Sequence, residues 1–141
     1  MCVTLFNKVI NPETDRAEYF RTYIYNADWQ GELITNVNDK GFISADKITC
    51  FIPFSSSTEG GKKYVEPRVF NRMTVSERER VFTFNKNDII VKGMIDFEIT
   101  NENGHRVKDL FNDYIESGII VSIIPHDYGS ESMRHWEIGA K

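Results

Sequence analysis

The chain has 141 residues, 40% apolar and 13% aromatic, a composition that fits one domain with its own core and excludes disorder throughout. A formal charge of −4 argues against a broad phosphate-gripping surface, which needs clustered Lys and Arg. The longest apolar runs, such as Ile119-Ile120-Val121-Ser122-Ile123-Ile124, fall far short of the roughly 20 residues of a membrane helix, so no membrane partner is expected.

In chain order, Cys2 to Ile10 is β-prone and stops at the turn signal Asn11-Pro12, and Glu18 to Tyr25 is rich in aromatic and β-branched residues that suit a strand. A third strand is expected over Trp29 to Val37, a turn at Asn38-Asp39-Lys40-Gly41, and a fourth strand over Lys47 to Ile52. In that fourth strand Ile48, Cys50 and Ile52 share one face. Pro53 ends it, and the Ser-, Gly- and Lys-rich stretch within residues 53–64 reads as a flexible loop. Thr74-Val75-Ser76-Glu77 has the capping-box pattern and predicts a short helix over Val75 to Val81.

Phe82-Thr83-Phe84, a turn at Asn85-Lys86-Asn87-Asp88, and Ile89 to Gly93 read as strand, turn and strand. Met94 to Thr100 continues as a strand with alternation at Ile95, Phe97 and Ile99, and Asn101-Glu102-Asn103-Gly104 is a further turn. Between His105 and Glu116 the residues Val107, Leu110, Phe111, Tyr114 and Ile115 form one helical stripe, which Gly118 closes. Ile119 to Ile124 and Met133 to Ile138 complete the strands. The expectation is a single mostly β domain over residues 1–141: an antiparallel β-barrel or sandwich with one amphipathic helix near the C-terminal third and a long central loop.

No catalytic signature is present. Ser55, Ser56 and Ser57 lack the elbow that makes a nucleophile, and Gly60-Gly61-Lys62-Lys63 fails the phosphate-loop spacing. Cys2 and Cys50 form no metal or disulfide pattern, so no cofactor is expected. His126, Asp127 and His135 are the residues whose types could ligate a metal in a small metal-dependent hydrolase, although their spacing matches no ligand motif. An OB-like nucleic-acid binder would need aromatics beside a basic groove, and the acidic balance opposes it. The mixed-charge middle of the chain, with Lys62, Lys63, Tyr64, Arg68 and Arg72, reads either as a solvated face or as a contact arm. Trp136 reads as sheet closure or as pairing with a neighbour.

Four segments, Val3 to Lys8, Tyr64-Val65-Glu66-Pro67, Asp88 to Gly93 and Met133 to Gly139, carry a resemblance to a family of small, largely uncharacterised proteins encoded by phages and prophages of Gram-positive bacteria. In size and strand-loop-strand plan the chain also resembles phage head-closure or head–tail connector proteins, β-barrels with a long loop that assemble as rings. The resemblance implies a virion structural protein, not an enzyme, with portal, adaptor or tail proteins and further copies of itself as partners. It places the protein in the host cytoplasm during assembly, where the absence of a secretory-type opening at Met1 to Phe6 also points, and then in the virion. The helix at His105 to Glu116 makes the chain larger than the simplest such barrels and leaves a tail-terminator or minor capsid role open.

Overall fold

A computed structural model describes residues 1–38, 41–100 and 102–141, with side chains described outside 32–47. Asp39, Lys40 and Asn101, which belong to two of the expected turns, lie outside the described residues. The strands are β1 (Val3–Asn11), β2 (Arg16–Ile24), β3 (Asp28–Asn38), β4 (Gly41–Pro53), β5 (Lys63–Tyr64), β6 (Val81–Phe82), β7 (Ile89–Lys92), β8 (Ser117–His126) and β9 (His135–Ala140). Among the described residues the α-helices are α1 (Pro67–Arg72), α2 (Val75–Arg78) and α3 (Val107–Asp113), all short.

Seven strands form one antiparallel sheet in the order β2-β1-β7-β8-β9-β4-β3, and β5 and β6 make a separate parallel ribbon. The protein is mostly antiparallel β, as expected. Of the two forms anticipated, the sandwich-like one holds and the closed barrel does not, because β2 and β3 remain as edges.

Alternation along the strands sorts side chains onto two faces. On one face Val3, Leu5, Ile24, Trp29, Ile48, Cys50, Ile52, Ile90, Ile120 and Ile138 meet in a single core, so the two ends of the sheet curl toward each other. Phe82 and Phe84 from the ribbon side close over this core. On the other face Phe6, Ile89 and Val91 pack with Ile95 and Leu110 in a second cluster covered by α3.

Residues 94–100 correct one expectation. Ile95, Phe97 and Ile99 do alternate toward the second cluster, yet the segment is not a strand, because side chains rather than a ladder satisfy its backbone. Tyr23 Oη donates to Ile95 O at 2.5 Å, an Arg21 guanidinium N–H donates to Phe97 O at 3.0 Å, and Ile95 N donates to Thr4 Oγ1 at 3.2 Å.

The helical stripe holds for Val107, Leu110, Phe111 and Tyr114, which all join the second cluster. It fails at Ile115, 87% exposed, because α3 ends at Asp113 with Tyr114 as an extended cap. Gly118 does not close the helix. It lies buried in β8, where an added Cβ would come within 2.9 Å of Lys141 O, so the position needs glycine for close approach. Replacing Leu110, fully buried, with Ala is expected to destabilise the fold by about 2 to 5 kcal/mol in urea unfolding; an unchanged midpoint would mean that α3 contributes little to the second cluster.

Pro67 starts α1 at a position where its missing N–H costs nothing, a helix that the sequence pattern alone does not announce. The capping box at α2 forms as its pattern predicts: Thr74 Oγ1 accepts from Glu77 N at 3.3 Å and Glu77 Oε1 accepts from Thr74 N at 3.4 Å. The helix is shorter than expected and ends at Arg78. Among the described residues, no helix is long and apolar enough to cross a membrane.

Candidate docking surfaces

The β3–β4 hairpin reaches beyond the sheet. β4 pairs with β9 only over Ile48 to Pro53, while β3 and β4 stay paired with each other from Asp28↔Phe51 to Asn38↔Gly41. Residues 32–38 and 41–47 thus form a two-stranded arm about 24 Å long at the usual rise per residue. A lone two-stranded ribbon is marginally stable in water, and its outer edges carry backbone donors and acceptors able to pair with another strand. This arm comes from a longer fourth strand than Lys47 to Ile52, the expected span.

Residues 53–64, expected as a flexible loop, lie against the β2 edge. Tyr25 N donates to Ser57 O at 2.9 Å, and Thr58, buried, bridges to Ile24. Thr58 Oγ1 donates to Lys62 O at 2.6 Å, and the Lys62 ammonium donates to Arg21 O at 2.6 Å and to Thr22 Oγ1 at 3.3 Å. Desolvation by burial pushes the Lys62 pKa down, although its ammonium has found oxygen partners.

The expected interaction residues separate into two groups. Lys63, Arg68 and Arg72 are exposed, and the two arginines lie one turn apart on α1 beside Val69, Met73 and Glu77. Tyr64 and Trp136 are core-side residues. Trp136, 6% exposed, packs its ring at 4.4 Å from Phe54, 4.6 Å from Tyr64 and 5.1 Å from Phe84, and it pairs with Ile52 across β4. It therefore faces the core from an interior strand, between β8 and β4, and closes no edge of the sheet.

His126 and His135 do come together as a cross-strand pair of β8 and β9, their rings stacked with centroids 4.7 Å apart. Asp127 makes no hydrogen bond or ion pair with either imidazole. Glu137 takes that place, with Oε1 3.5 Å from His126 Nε2. Among the described residues, no group of three or more His, Cys, Asp and Glu is placed to hold a metal ion.

Asp88 is a polar center that sequence reading does not reveal. It is 1% exposed, and its carboxylate accepts from Lys8 N at 2.9 Å, Asn85 N at 2.9 Å and Asn7 Nδ2 at 2.8 Å. Burial pushes its pKa up to about 6 while these donors pull it back. Asn7 also donates to Thr83 O at 2.6 Å, so the cluster ties β1 to the turn before β7. With three donors of the fold directed at its carboxylate, its role is to fix the fold.

On the outer side of β8, Ile119, Val121 and Ile124 are exposed. They are part of the sheet face that α3 does not reach.

A model of a family of unknown function matches the chain over residues 2–141. No curated protein and no solved structure matches it.

Proposed function

As the chain belongs to that family, DUF6751, whose description assigns no activity, we propose from the geometry that it is a non-enzymatic assembly subunit that binds other proteins through the β3–β4 arm. One observation carries the reading: among the described residues, 32–38 and 41–47 pair only with each other and extend past the end of the β4–β9 pairing at Ile48↔Ala140. Strand addition to such an edge supplies affinity through main-chain hydrogen bonds without any catalytic group.

The setting proposed is the neck of a tailed phage, with the chain as a head-closure or head–tail connector subunit and portal, adaptor or tail proteins as partners. The resemblance of Val3 to Lys8, Tyr64 to Pro67, Asp88 to Gly93 and Met133 to Gly139 to phage and prophage proteins supports that setting. An acidic protein, net −4, also suits a channel that DNA crosses without sticking. Tail-terminator and minor capsid roles belong to the same class and use the same arm. The protein would be made in the host cytoplasm and end in the virion.

The test is light scattering of the purified chain mixed with proteins encoded by its flanking genes, beside a variant in which an Asn-Gly turn replaces residues 33–46 and joins Glu32 to Lys47, a cross-strand pair of the native register. The expected result is a joint species for the native chain and none for the trimmed variant, which keeps its circular dichroism because β4 still pairs with β9. Equal complex formation by both would overturn the reading, as would a native chain that stays monomeric with every neighbour.

A further inference from the structure

Asn103 is the one asparagine of the chain that a glycine follows. His105 N donates to Glu102 O at 3.0 Å, which places Asn103 and Gly104 at the two central positions of a tight turn, and Gly104 takes the positive φ of 88° that such a turn accepts. Both residues are exposed, and apart from its chain neighbours nothing lies within 4 Å of the position that a Cβ on Gly104 would occupy. Among the described residues, neither the Asn103 carboxamide nor the Gly104 N–H makes a hydrogen bond. Buried Asn7, by contrast, spends its carboxamide on Thr83 O and Asp88, and Asn85 Oδ1 accepts from Lys86 N.

The turn thus holds a carboxamide free to rotate next to an amide nitrogen that no partner binds and no side chain shields, the conditions for intramolecular attack. We propose that Asn103-Gly104 is a self-modification site, at which the chain converts Asn103 to aspartate and isoaspartate without an enzyme or a cofactor. Gly104 N loses its proton to solvent base and bonds to Asn103 Cγ. The Cγ–Nδ2 bond then breaks, Nδ2 leaves as ammonia, and a cyclic imide remains. Water opens that ring at either carbonyl: opening at Cγ gives aspartate, and opening at the main-chain carbonyl gives isoaspartate, whose backbone runs through Cγ. Each conversion consumes a water and releases an ammonia, with no oxidation or reduction.

The location gives the change a consequence. The turn joins residues 94–100 to α3, and Thr100 N donates across it to His105 O at 2.7 Å. Isoaspartate lengthens the backbone between those partners, and either product adds a carboxylate beside the cleft lined by Asp96, Glu98 and Glu102.

The test incubates the purified full chain at mildly alkaline pH and follows its digest by mass spectrometry, with isoaspartate read from backbone fragmentation. The peptide carrying residue 103 should progressively gain the mass that turns a carboxamide into a carboxylic acid, while those carrying Asn7 and Asn85 stay unchanged. Isoaspartate must appear, because direct hydrolysis of the side chain yields aspartate alone. Gly104→Ala, which shields the attacking nitrogen with a methyl group, should slow the gain by about tenfold or more. Asn103→Gln keeps the carboxamide but must close a larger ring, and should stop the gain at this position with the circular dichroism kept. Residue 103 remaining asparagine, converting no faster than Asn85, yielding aspartate without isoaspartate, or converting equally fast in Gly104→Ala overturns the proposal.

Discussion

Trp136→Ala is expected to destabilise the protein by about 3 to 5 kcal/mol. The indole bridges the two parts of the main core: it sits on β9 opposite Ile52 of β4 and receives the rings of Phe54, Tyr64 and Phe84 from three other segments. Removing it leaves a cavity that those rings can fill only by pulling the β5–β6 ribbon inward. Urea unfolding followed by far-ultraviolet circular dichroism measures the loss, and Trp136→Phe should recover much of it. A loss under 1 kcal/mol would mean that the aromatic cluster does not hold the ribbon to the sheet.

Asp88→Ala should cost about 2 to 4 kcal/mol near neutral pH, because three N–H groups lose their shared acceptor in a buried site. The same residue predicts a pH dependence with a definite sign. Its carboxyl pKa is raised from 3.8 to about 6 in the folded protein, so the native state holds this proton more tightly than the unfolded chain does. The stability from that difference is full below about pH 4 and is lost as pH rises through about 6, a span worth at most about 3 kcal/mol. The stability of the native chain minus that of Asp88→Asn, measured by urea unfolding from pH 4 to pH 7, should therefore fall as pH rises. A difference that rises with pH would show that the three donors outweigh burial.

Strand positions were legible where one face is buried. Ile48, Cys50 and Ile52 alternate in sequence because they alternate between core and outer face, and Val107, Leu110, Phe111 and Tyr114 recur at helical spacing because α3 covers the second cluster. The period fails where it is not tied to a regular backbone. Ile95, Phe97 and Ile99 alternate correctly, but Thr4, Arg21 and Tyr23 side chains take the hydrogen bonds that a neighbouring strand would have made.

Surfaces were less legible because they depend on pairs far apart in the chain. Asn7 and Asp88 look like turn and strand-end residues until the fold brings them within 2.8 Å. Ser44, Ala45 and Asp46 are poor strand formers, so the outer part of β4 follows from its register with β3 and not from propensity. Serine and glycine between Ser55 and Gly61 suggest a free loop by composition alone, yet Thr58 and Lys62 bind it to the β2 edge. The two-stranded extension of β3 and β4 lies earlier in the chain than that loop.

Hydrogen–deuterium exchange of the β3–β4 arm, alone and in mixtures with proteins encoded by the flanking genes, tests the central claim most directly. The amides of residues 32–38 and 41–47 should exchange fast in the isolated monomer and become protected on assembly, while those of Ile48 to Pro53, already paired with β9, should be protected throughout. Assembly that leaves the arm amides exchanging at the monomer rate would contradict it.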